Sequence, residues 1–183
     1  LKAQYTENAP KTYKLDVSDA TVTLKDGGAV ADLTAVPVDT ELKVIADEDT
    51  ETSVFKNWSC TGLDLTEEQS TARVVYFTMP DHDVNLKAVF VTPTNKLDVS
   101  GAQVTLKDGG AVADLTAVPV GTELKATAPE KDGYTFTGWE VTGLPTDVDT
   151  TKATISFTMP ANKVTLKAQY TENAPKTYKL DVS

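Results

Sequence analysis

Two nested repeats constrain this chain more than any other feature. Residues 166–183 reproduce residues 1–18 letter for letter, LKAQYTENAPKTYKLDVS, at an offset of 165. Within that period the segment Val22–Val38, VTLKDGGAVADLTAVPV, returns unchanged as Val104–Val120, an offset of 82. Solenoid units of about 20–50 residues need neighbours to bury their hydrophobic faces, whereas about 80 residues can close a small core alone. The repeat length therefore predicts independently folded beads, each with a radius of gyration of about 12 Å. The duplicated 18-mer further predicts that the 183 residues are a window on a longer tandem array. Residues 1–5 read as the last strand of a preceding repeat, 6–13 as a linker, 14–90 as module 1 and 91–95 as a linker. Module 2 follows at 96–170, then a linker at 171–178 and the first strand of a following repeat at 179–183.

Apolar residues alternate with polar ones at period two, the pattern of half-buried strands. Leu15 and Val17, Val22 and Leu24, and Leu42, Val44 and Ala46 each mark one face of a strand. Their counterparts are Leu97 and Val99, Val104 and Leu106, and Leu124, Ala126 and Ala128. Val75, Phe77 and Met79 match Ile155, Phe157 and Met159, and Pro80 or Pro160 stops each run because proline cannot donate to a ladder. Val84, Leu86, Ala88 and Phe90 match Val164, Leu166, Ala168 and Tyr170 in a final strand. Lys25–Gly28 and Lys107–Gly110 supply turns, and helical spacing is hardly visible. The expected architecture is all-β: two tandem small β-sandwich-like modules in an extended array, each of about five or six strands. β-grasp-like modules are the alternative.

One irregularity locates a special backbone feature. Phe136 and Trp139 lie three residues apart and cannot share a face of a regular strand, so a β-bulge is expected between them. Gly138 precedes the tryptophan in one module and Asn57 in the other, the two residue types most tolerant of left-handed backbone. The linkers alternate in length, and the single proline in each predicts short, stiff connections.

The chain carries a net charge of −10, which offers nothing basic to nucleic acid. No stretch approaches the ~20 apolar residues of a membrane span, and the first residues read as a β-like fragment rather than a signal peptide. Residues 14–90 hold 15 acids and 6 bases, whereas residues 96–170 hold 9 and 7, so the two surfaces differ. A single cysteine, Cys60, rules out an internal disulfide framework.

Three blocks of module 2 point to a family. Gly133-Tyr-Thr-Phe-Thr-Gly-Trp139, Ile155-Ser-Phe-Thr-Met-Pro-Ala161 and Val164-Thr-Leu-Lys-Ala-Gln-Tyr170 occur in that order. Over nearly the whole module the sequence resembles the divergent internalin-B B-repeat family. Module 1 departs at Thr52, Ser53, Asn57, Asp81 and Phe90, yet keeps Trp58, Phe77, Met79 and Pro80. Its 17-residue identity with module 2 carries the resemblance across. The resemblance implies tandem modules in large secreted or wall-attached proteins, chiefly of Gram-positive bacteria, that serve as stalks and adhesin segments. It implies no active site; related B-repeats are β-grasp-like, with a helix over a sheet, but family membership alone does not settle the fold, and the strand count favours the sandwich.

The candidate chemistry is sparse. His82, in Pro80-Asp-His-Asp83, is the one histidine, and the other module has Ala161-Asn162 at the equivalent position, so a solvated turn is expected rather than a catalytic base. Cys60 aligns with Val141 and shares the tryptophan's face, as a buried hydrophobe. Asp47–Glu51 could offer calcium its carboxylates, but the run lacks the turn glycine of an EF-hand loop and reads as a solvated loop. Trp58 and Trp139 could form a sugar-stacking platform, but their apolar strand partners make them core. Asn57-Trp-Ser59 is a glycosylation sequon without weight in a bacterial protein. An isopeptide crosslink needs Lys, Asn and acid on adjoining strands, and no such trio recurs in both modules. Catalytic, cofactor and metal residues are therefore all expected to be absent.

The function expected is structural: a stalk or fibre segment of an extracellular, cell-surface or cell-wall protein of a Gram-positive bacterium. Its expected partners are neighbouring repeats of the same chain, with like chains in a fibre a further possibility; no nucleic acid and no membrane insertion are anticipated. An adhesive module that engages glycan or host protein by avidity is one alternative. A filament built by strand exchange through 1–5 and 179–183 is another.

Overall fold

The computed structural model describes residues 9–175, which divide into two compact units meeting at Val91 and Thr92. In the first unit the strands are β1 (Thr12–Tyr13), β2 (Leu15–Ser18), β3 (Ala20–Leu24), β4 (Val36–Pro37), β5 (Glu41–Ala46) and β6 (Val54–Thr61). Helix α1 (Glu67–Thr71), β7 (Val74–Thr78) and β8 (Val84–Val91) complete it. The second unit repeats the series with β9 (Thr94–Asn95), β10 (Leu97–Ser100), β11 (Gln103–Leu106) and β12 (Val118–Pro119). β13 (Glu123–Thr127), β14 (Tyr134–Thr142), β15 (Thr154–Thr158) and β16 (Val164–Glu172) follow.

Each unit contains two three-stranded sheets and a two-stranded ribbon. In the first, β8 lies between β2 and β6, β5 lies between β3 and β7, and β1 pairs with β4. The second unit keeps this order, with β16 central between β10 and β14 and β13 central between β11 and β15. Among the described residues all strand pairings are antiparallel except two: the first long strand of each unit runs parallel to the last, Leu15–Ser18 beside Val84–Lys87 and Leu97–Ser100 beside Val164–Lys167.

Period-two patterning decides which faces meet. Val44, Ala46 and Val75 from one sheet pack with Trp58, Leu86 and Ala88 from the other, and all are buried. In the second unit Leu124, Ala126, Ile155 and Phe157 meet Trp139, Val164 and Leu166 in the same way. Each fully buried aliphatic contributes roughly 1.5–3 kcal/mol, so the paired inner faces are the main source of stability. The result is the all-β sandwich expected, not the β-grasp alternative. The one helix among the described residues has five residues, none of them buried, and cannot cover a sheet. Thr66 caps it by accepting from the Gln69 N–H at 3.2 Å, while the Gln69 side chain accepts from the Thr66 N–H at 3.0 Å, a complete capping box.

The bulge falls where the sequence places it. The register of β14 on β16 shifts between Phe136 and Gly138, and that of β6 on β8 between Phe55 and Asn57. Gly138 has φ of 145°, but Asn57 is not among the residues with positive φ, so the left-handed backbone expected there is absent. A bulge of the common type forms with ordinary negative φ, and the Asn57 side chain instead donates to the Trp58 carbonyl at 2.9 Å. Left-handed backbone appears elsewhere, at Asp19 (φ 58°) and Asp39 (φ 65°), where module 2 has Gly101 and Gly121.

The segments read as linkers are partly strand. Thr12–Tyr13 pairs with Val36–Pro37 and Thr94–Asn95 with Val118–Pro119, so the first two connections end pinned to the module that follows them. The last strands run to Val91 and Glu172, beyond 90 and 170. The terminal fragments 1–5 and 179–183, and with them the strand-exchange idea, lie outside the described residues.

Candidate functional site

The bulged strand gathers the aromatic residues. Phe136 sits 5.6 Å from Trp139 and 5.8 Å from Tyr170, both edge to face, and Phe55 stands likewise between Trp58 and Phe90. Trp58 and Trp139 are only 4% and 7% exposed, and each indole N–H donates at 2.8 Å to a backbone carbonyl, of Ala72 or Lys152. Neither ring is free to stack on a sugar. The indoles bind the loop before β7 or β15 to the core, which is why the residue type is Trp rather than Phe.

Above this aromatic cluster each module places a cation, but from a different element. In module 1 the Arg73 guanidinium lies 5.5 Å from the Phe55 ring centre and forms an ion pair with Asp49 at 2.5 Å. Its Nη1 also donates to the Asp47 carbonyl. The Phe55 N–H donates to the Asp49 carboxylate at 2.7 Å, and these two bonds, that of Phe55 foremost, hold the Asp49 carboxyl below the usual range. The acidic run Asp47–Glu51 thus spends its central carboxylate on a peptide N–H and an arginine. Among the described residues no group of three or more His, Cys, Asp and Glu is arranged to hold a metal ion.

In module 2 Ala153 replaces Arg73, and Lys131 replaces Asp49. The Lys131 ammonium lies 3.8 Å from the Tyr134 ring centre and 5.9 Å from that of Tyr170, whose hydroxyl donates to the Pro129 carbonyl at 2.6 Å. This leaves an open groove of about 410 Å³, lined by Lys131, Tyr134, Phe136 and Tyr170 among others. Module 1 fills the corresponding place with its arginine and aspartate. The exposed aromatics are not repeated either: Tyr76, 51% exposed, aligns with Ser156, and Tyr134, 36% exposed, aligns with Ser53.

His82 does more than occupy a solvated turn. Its Nε2 lies 3.0 Å from the Gly62 carbonyl and its Nδ1 3.4 Å from the Asp81 carboxylate. In module 2 the Asn162 side-chain amide donates to the Gly143 carbonyl, also at 3.0 Å. The two loops are equivalent, and His and Asn fill one role: a donor that ties the exit of the tryptophan strand to the entry of the last strand. Sequence comparison alone hid this because the residues differ. Cys60 shares an open groove with His82, but no hydrogen bond joins them. Its thiol is half-buried and lies 3.4 Å from the Leu63 carbonyl, and burial pushes its pKa up, away from the thiolate a nucleophile needs.

The chain is similar to the family described as divergent InlB B-repeat domain, whose model matches it twice, over residues 15–94 and 91–174. It is also similar to Internalin H of Listeria monocytogenes serovar 1/2a, with 38% identity over 100 residues. That match covers 52% of this chain and 16% of Internalin H.

Proposed function

Since the chain belongs to the divergent InlB B-repeat domain family, a repeat family of bacterial surface proteins, we propose that this segment is an extended spacer, a stalk that sets distance from the cell. The observation that carries the proposal is the parallel pairing of each module's first and last long strands. Parallel neighbours begin at the same end, so the chain enters a module near Leu15, level with Val84, and leaves at Val91, at the opposite pole. Seven residues of strand at about 3.3 Å each separate those levels by roughly 23 Å. Each module therefore adds length rather than turning the chain back, and each closes its own core without help from a neighbour.

The non-equivalence of Tyr76 and Tyr134 supports a spacer over an adhesive array, because avidity requires the same surface on successive units. Attachment to the wall of a Gram-positive cell belongs to the same proposal. Small-angle scattering on fragments of two and four modules tests it: the maximum dimension should grow by about 50 Å per added pair. Growth with only the cube root of mass would overturn the spacer reading.

A further inference from the structure

The geometry points to a second, mechanical function: each module is a force-bearing clamp, built to resist tension applied along the array. The inference rests on the spacer reading for the source of tension, because a chain anchored at one end and attached at the other is pulled through its modules. Tension enters module 1 at β2 and leaves it at β8, two strands that lie side by side and run parallel. Pulling their outer ends apart slides one along the other. The load then falls across the hydrogen bonds of all four register pairs together, Leu15 with Val84 through Ser18 with Lys87. In an antiparallel pair pulled from a shared end, the bonds break one after another at much lower force.

Several further contacts reinforce the point where the load enters. The Val84 N–H donates to the Lys14 carbonyl at 2.9 Å, and the Lys14 N–H donates to the Asp83 carboxylate at 2.8 Å. On its other side β2 is held by the Leu15 N–H, which donates to the Leu33 carbonyl at 2.8 Å. Module 2 repeats the arrangement, with Val164 donating to Lys96 at 3.0 Å and Leu97 to Leu115 at 2.8 Å. It adds an ion pair across the joint, Lys163 to Asp98 at 2.6 Å. The strand that receives the load cannot peel away, because β8 and β16 are the central strands of their sheets and are flanked on both sides. The side chains on the inner face of the joint, Leu15, Val84 and Leu86 in module 1 and Leu97, Val164 and Leu166 in module 2, are buried, so that face is shielded from water until sliding begins. The hierarchy is also set: the two-residue ribbon of β1 on β4 yields first, and the clamp holds after it.

The test is single-molecule stretching of the whole two-module chain along two axes. Pulled through its termini, each module should open in one event that releases about 25 nm, the length of roughly 75 residues at near 3.5 Å each. For the second axis, Cys60→Val supplies module 2's own residue and Asp132→Cys places a handle in an exposed loop. Pulling between residue 132 and the C terminus loads β14 and β16 from their shared end, where Tyr134 pairs with Glu172. The expected result is a peak force at least about threefold higher through the termini than across this second axis. Equal forces, or a lower force through the termini, would overturn the clamp. Because both axes are read on the same folded variant, a folding defect cannot mimic either result. A chain that lengthens correctly in scattering yet opens at low force would overturn the clamp alone and leave the spacer standing.

Discussion

Gly143, in the loop after the tryptophan strand, packs tightly against the residues that lead into the last strand, and Gly143→Ala measures what that approach is worth. Its φ is +80°, and an added Cβ would lie 2.2 Å from the Lys163 carbonyl oxygen and 2.5 Å from the Asn162 amide nitrogen. Left-handed backbone costs a residue with a Cβ about 1–2 kcal/mol. The overlap is a separate cost: ordinary contact starts near 3.4 Å, so backbone must move by about 1 Å. The oxygen in the way belongs to a residue beside β16, a central strand, and cannot swing aside as a side-chain end would. Together these give a loss of about 3–4 kcal/mol, a large part of the roughly 4–12 kcal/mol that stabilises a module of this size. Gly109→Ala is the control, since φ there is +96° but nothing lies within 4 Å of the new atom. It should lose only the dihedral cost, less up to about 1 kcal/mol regained from the stiffer unfolded chain. Urea unfolding followed by Trp139 fluorescence, in a Trp58→Phe background, reads module 2 alone. With a slope of about 1 kcal/mol per molar, the Gly143→Ala midpoint should fall by at least 2 M relative to Gly109→Ala. Coincident midpoints for the two variants would refute the argument that the close approach, rather than the left-handed turn, fixes glycine at this position.

Further predictions concern single contacts. His82→Asn installs the donor that module 2 uses and should leave stability within about 0.5 kcal/mol, whereas His82→Ala loses the bond to Gly62 and about 0.5–1.5 kcal/mol in urea unfolding. Asp39→Gly, which carries module 2's residue into a left-handed position, should leave the melting temperature of module 1 nearly unchanged, because up to about 1 kcal/mol of relieved backbone strain is offset by a looser unfolded chain. A fall on that substitution would mean that the aspartate side chain matters more than its φ. Asp49, Asp98 and Asp149 are each held below their ordinary value of 3.8, by the Phe55 N–H, the Lys163 ammonium and the Thr151 hydroxyl respectively. A carboxyl that titrates lower in the folded than in the unfolded chain stabilises fully above the unfolded value. That contribution disappears as pH falls through the folded one. Stability followed by urea midpoint should therefore drop below about pH 4, and Asp98→Asn should flatten the drop in module 2.

The sandwich was legible because period two runs through the long strands other than the bulged β6 and β14, and Leu42, Val44 and Ala46 leave no doubt which face is buried. The bulge was legible from a spacing, three residues between Phe136 and Trp139. The ribbons β1–β4 and β9–β12 were not, because two residues show no period and the proline in β4 and in β12 argues against a strand. Thr66-Glu-Glu-Gln69 did carry a capping-box signature for α1, but no apolar stripe followed to raise it above a loop. The clasp of His82 on Gly62 and of Asn162 on Gly143 joins residues about twenty apart, and no local pattern encodes such a pair. Nor does alternation say which strands are neighbours, so the parallel pairing on which the proposed function rests appears only in three dimensions.

The first long strands β2 and β10 have the same sequence, Leu-Asp-Val-Ser. During folding β8 therefore meets two identical candidates, the correct one about 70 residues behind it and a copy just ahead. Chain length decides between them. To lie parallel beside β8 in the native register, β10 would have to start level with Val84, so the chain would need to return roughly 23 Å from Val91. The residues from Val91 to Leu97 span at most about 20 Å when fully extended, with nothing left over to turn. A short connection thus acts as an editor, rejecting the neighbour's strand on geometric grounds while sequence gives no discrimination. Arrays of near-identical units are prone to exchanging segments, and here the brevity of the link between β8 and β10 guards each unit's identity.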